Sequence, residues 1–99
     1  MSKCNIVHIT GHLGGGVGTV VLSYLTQKIA DPTQYHSVVS LDTISEHPKQ
    51  VMTEHGVDFV HLDPRIDALE IHNRIRGADI VLLHWWNHPL IMYLLLAIS

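Results

Sequence analysis

Gly11-His12-Leu13-Gly14-Gly15-Gly16-Val17-Gly18-Thr19 holds five of the chain's seven glycines and decides how the rest is read. An apolar run, Ile6 to Ile9, precedes it, and a helix-patterned segment begins near Val17. Strand, glycine-rich turn and helix in that order bring backbone N–H groups to face an anion. Glycine permits positive φ and leaves no side chain to hold a ligand off. The helix start adds unpaired donors and the positive end of its dipole. The competing reading is a tight strand-to-helix crossover with no ligand. Two known phosphate loops do not fit. Walker A needs a lysine that Gly14-Gly15-Gly16-Val17-Gly18-Thr19 lacks, and the dinucleotide fingerprint needs a glycine where Thr19 stands.

Outward from that loop, the pattern alternates. Cys4 to Thr10 reads as the first strand. Val17, Val20, Val21, Tyr24, Leu25 and Ile29 recur at helical spacing, and Asp31-Pro32 ends that helix. Tyr35 to Leu41 is the second strand. Thr43-Ile44-Ser45-Glu46 matches a capping box, so a short helix should run from there to about His55, stopped by Gly56. Val57 to Leu62 is the third strand. Asp63-Pro64 opens the next helix and Gly77 closes it, with Ala68, Ile71 and Ile75 on its buried face and Arg65, Glu70, Arg74 and Arg76 in water. Ile80-Val81-Leu82-Leu83 reads as a parallel strand covered on both faces, and a last helix starts near Pro89. Four strands alternating with helices predict an α/β fold, a Rossmann-like open parallel sheet.

Ninety-nine residues suit one domain. Only 15% are charged, against about 25% in a typical domain. That deficit, with the close on Leu94-Leu95-Leu96-Ala97-Ile98-Ser99, leads us to expect a piece of a larger protein whose surface is partly covered by protein. A net charge of −3 without a basic cluster argues against nucleic acid as the main partner. The single cysteine, Cys4, reads as a small buried residue and permits no internal disulfide. The start of the chain lacks a signal peptide's apolar region, and Leu90 to Ile98 is about half of the roughly 20 residues a membrane span needs.

Ligands of open parallel sheets bind beyond the carboxyl ends of the strands, where crossovers diverge. Strands one and four are commonly adjacent there, which would bring the glycine loop and His84-Trp85-Trp86 to one edge. Nine histidines raise a metal reading, and His84 and His88 stand at i, i+4. They straddle a strand end and a helix start, however, with no acidic residue or cysteine close in sequence, so no metal site is expected. His8, His36, His47, His55, His61 and His72 read as structural or solvent-facing. His12 is kept as a ligand contact. One of Trp85 and Trp86 should pack inward and the other cover partner surface, although either could stack on a sugar or base. The serines show no nucleophile-elbow context.

Ile6-Val7-His8-Ile9-Thr10 followed by Gly14-Gly15-Gly16-Val17-Gly18-Thr19-Val20-Val21-Leu22 resembles the opening of a GT-B glycosyltransferase of the large family 4 type. Asp79-Ile80-Val81-Leu82-Leu83-His84 is similar to that family's Asp-apolar-apolar-His-x-His segment, with Leu82 departing from the first histidine and His84 matching the second. The resemblance covers the whole chain, as roughly the first quarter to third of such an enzyme. It implies residues 1–99 are an incomplete N-terminal, acceptor-side domain, half of a GT-B architecture. The implied reaction is transfer, with retention, of a sugar from a UDP- or GDP-sugar to a glycan or lipid-linked acceptor. Gly14, Gly15, Gly16 and His12 would meet the donor diphosphate, and His84 would be the catalytic contact at the transferred sugar. No covalently bound cofactor and no metal are implied. The nucleotide-holding second Rossmann domain would be a missing partner, so the 99 residues alone should be inactive. The resemblance also implies a cytoplasmic protein able to lie peripherally at the inner face of a membrane. A non-catalytic nucleotide- or phosphate-binding module is the alternative on the same loop.

Overall fold

The computed structural model describes residues 3–11, 31–84 and 89–98. Strands β1 (Cys4–Thr10), β2 (Gln34–Ser40), β3 (Asp58–His61) and β4 (Ile80–His84) form one sheet in the order β3-β2-β1-β4. Every ladder is parallel. Helices α1 (Glu46–Glu54), α2 (Ala68–Arg76) and α3 (Pro89–Ile98) complete the described elements. The expected α/β open sheet is therefore present, with β1 beside β4 as anticipated. The expected helix after the glycine loop falls on residues outside the described set.

Register sorts the side chains. Val7, Ile9 and Val39 lie on one face of the sheet and pack with Ile71 of α2 and with Ile91 and Leu94 of α3. Ile71, Ile91 and Leu94 are fully buried, and each such side chain stabilises the fold by about 1.5–3 kcal/mol. The opposite face carries Ile6, His8 and Thr10 on β1, and Val38 there packs with Met52 of α1 and with Val57. Helices thus cover both faces. Residues 5 and 77–79 tie β1 to the turn before β4. The Asn5 backbone N–H donates to Asp79 Oδ2 at 2.7 Å, its side-chain Nδ2 donates to the Gly77 carbonyl at 2.9 Å, and the Asp79 N–H returns to the Asn5 carbonyl at 2.8 Å.

Helix α1 stops as Gly56 requires. Gly56 has φ 68°, and the Val57 and Gly56 N–H groups donate to the carbonyls of Met52 and Thr53 at 2.8 and 3.2 Å. This is the paired closure that a left-handed glycine allows. Several expectations need correction. The capping box from Thr43 does not form: the N-cap is Ser45, with no side-chain cap hydrogen bond. Three residues beyond Ser45 stands Pro48, which has no N–H to give such a cap. Helix α2 begins one turn later than Pro64. The Asp63 carboxylate instead receives the Arg65 backbone N–H at 2.9 Å and its guanidinium at 2.7 and 3.0 Å, folding 64–66 into a turn. Arg74 is half-buried rather than fully wet, donating to Glu70 at 3.1 Å. Strand β4 is not covered on both faces. Among the described residues it pairs with β1 alone, and Ile80 and Leu83 are 45% and 41% exposed. Cys4 is half-buried and free. Apolar side chains also stand exposed on α3, among them Met92, Tyr93 and Leu96, in keeping with the low charge content. No helix among the described residues is long and apolar enough to cross a membrane.

Candidate functional site

The carboxyl ends of β1 and β4 meet in register, with Thr10 paired to His84. Gly11, the first residue of the glycine stretch, follows Thr10 directly and is buried. His84 is half-buried and so stands at the edge where a crevice between diverging crossovers would open. His12, Gly14, Gly15, Gly16, Trp85, Trp86 and His88 lie outside the described residues.

Two further histidines join His84, and sequence reading did not single them out. His8 sits mid-β1 and is fully buried; His36 sits near the start of β2 and is 4% exposed. Alternation puts His8 on the same face as Thr10, and parallel register brings His84 and His36 to that face as well. His8 Nδ1 lies 2.9 Å from His84 Nε2, and His8 Nε2 lies 2.8 Å from His36 Nδ1. His36 Nε2 in turn lies 2.9 Å from the side-chain oxygen of Gln34. The rings meet edge to edge and nearly coplanar, His8 lying 5.1 Å from each neighbour between centroids, with planes 26° and 19° apart. A row of one amide and three imidazoles therefore crosses β2, β1 and β4 diagonally. It advances two residues per strand toward the carboxyl edge.

Burial, then the neighbouring rings of His84 and His36, push the pKa of His8 down to about 4. Burial also lowers that of His84. A charge on His8 would be stranded between two imidazoles without water, so the neutral form is favoured. The trio is not built as a metal centre. Its ring nitrogens face one another, and among the described residues no group of three or more His, Cys, Asp or Glu side chains could hold a metal ion. His47, His55, His61 and His72 are exposed, as their scatter suggests.

Sequence signals for the row do exist. Each of β1, β2 and β4 carries one histidine among mostly apolar or small residues. What the sequence does not display is the register that aligns them. A depression of about 500 Å³ lies elsewhere, lined by Asn5, Tyr35, Asp58 and Gly77 toward the amino ends of the strands. It does not reach the β1–β4 edge. No family model matches the chain, and comparisons with curated proteins and with solved structures gave no match.

Proposed function

We propose that the chain is the N-terminal, acceptor-side domain of a two-domain glycosyltransferase of GT-B architecture. The enzyme passes a sugar from a UDP- or GDP-sugar to a glycan or lipid-linked acceptor, with retention. The observation that supports this most is the pairing of Thr10 with His84, one residue before the glycine stretch. It draws the two unusual segments of the sequence to one edge of a parallel sheet, the usual ligand edge of such folds. In this reading the amides of Gly14, Gly15 and Gly16, with His12, meet the donor diphosphate, and His84 contacts the transferred sugar. A second Rossmann domain holds the nucleotide, no metal is required, and the enzyme works in the cytoplasm or at the inner membrane face.

Because the nucleotide is held elsewhere, the 99-residue chain is expected to bind UDP- and GDP-sugars weakly or not at all. Titration calorimetry measures this directly. Micromolar binding by the chain alone would overturn the division of labour and favour the non-catalytic module. In a chain that carries both domains, Gly16→Val should depress transfer far more than stability, since a side chain there blocks backbone approach to the diphosphate. Unchanged turnover in a folded Gly16→Val variant would remove the loop from the site.

A further inference from the structure

We propose that Gln34 acts as a positioning residue which, through His36 and His8, fixes the tautomer of His84 so that its Nδ1 is bare and accepts a hydrogen bond from a ligand hydroxyl. The side-chain oxygen of Gln34 has lone pairs and no proton, so His36 Nε2 must donate to it. A neutral imidazole carries one N–H, and His36 Nδ1 is then an acceptor. His8 Nε2 donates into that acceptor across 2.8 Å. His8 has now used its proton, so its Nδ1 accepts from His84 Nε2 across 2.9 Å. One choice at the start of β2 settles three rings, and the last is left with its lone pair on Nδ1. Among the described residues that nitrogen meets no partner. Hydrogen bonds in such a row polarise one another, which strengthens a single direction over a mixture.

A donor nitrogen and an acceptor nitrogen select different ligand atoms. The bare Nδ1 suits a hydroxyl group that gives its proton and rejects a phosphate oxygen, which has none to give at neutral pH. His84 is thereby assigned to a polyol rather than to the diphosphate. That use in sugar transfer rests on the proposed function; the tautomer itself does not.

The test is the ¹⁵N spectrum of the ring nitrogens in the 99-residue chain at neutral pH, without any sugar. Protonated and bare imidazole nitrogens have well-separated shifts. The expected result is one tautomer, Nε2–H, in His36, His8 and His84 alike. An Nδ1–H signal at His84, or a mixture of its two tautomers, would overturn the proposal. Gln34→Leu should remove the bias and give His84 a mixed population while the amide spectrum stays native. A folded Gln34→Leu chain with an unchanged His84 tautomer would equally overturn it. Where leucine costs the fold, Gln34→Asn, one methylene shorter, makes the same withdrawal of the acceptor. Failure of the transferase reading in activity assays would leave these spectra unaffected, so the two failures are distinguishable.

Discussion

Acidification from pH 6.5 to 4 should cost the protein up to about 3 kcal/mol of stability through His8 alone. The sign follows from the protons bound in each state. Unfolded, His8 titrates at the ordinary 6.5; folded, it titrates at about 4. Between those values the unfolded chain holds a proton that the folded chain refuses, so stability falls with pH across that window and levels off below it. His84, shifted in the same direction by burial, adds to the same slope. The Asp63 carboxyl responds later. Arg65 holds it down at about 2, so the stability it contributes is lost only as pH falls below its ordinary 3.8 toward 2. Urea midpoints at pH 7 and pH 4.5 measure the effect. His8→Gln keeps a donor and an acceptor but cannot titrate. It should lower stability at pH 7 yet flatten the slope between the two pH values. An equally steep slope in His8→Gln would locate the acid sensitivity elsewhere.

If the proposed transferase reading holds, His84→Ala in a chain that carries both domains should reduce kcat on the order of 10²-fold, the scale of removing one preorganised polar contact at a reacting centre. A competing role for this histidine is to cap α3, which begins at Pro89. That role predicts a stability loss of about 1 kcal/mol with near-normal turnover. The structure changes what the same experiment should show for stability. Because His84 Nε2 lies 2.9 Å from His8 Nδ1, alanine also removes a hydrogen bond to a buried ring, at a cost of about 1–3 kcal/mol. Destabilisation alone therefore no longer separates the two roles, and turnover does. Assays run well below the variant's melting temperature are needed. Turnover within a few-fold of wild type would make His84 structural and remove β4 from the site.

Element order and type were legible because they rest on local patterns. The run Cys4–Thr10 matches β1 end to end, and Gly56 marks the end of α1 through a positive φ that glycine adopts readily. Boundaries that depend on competing side chains were not legible in the same way. Asp63 prefers Arg65 to a helix start, and α1 starts from Ser45 rather than from the Thr43 box. The edge position of β4 is likewise invisible in four consecutive apolar residues, which read as doubly covered until strand order is known. The site was half legible. His84 stands out because it ends an apolar run beside an expected ligand edge. His8 and His36 do not, because their hydrogen bonds span 76 and 28 residues of sequence and no local rule links such positions.

The parallel sheet also sets an order of events in time. β1 lies between neighbours that arrive from residue 34 and residue 80 onward, and no hairpin brings either to it early. Closing so long a loop must be met before its contacts reward it, which makes such topologies slow to assemble. While the chain is being synthesised, β1 and β2 are available first, and His8 can meet His36 and Gln34. Its second ring partner is unavailable until β4 emerges and docks. The row of imidazoles is thus completed from the Gln34 end toward His84, in the same direction in which its protons are aligned. Among the described strands, the β4 side of the sheet is the last to exist.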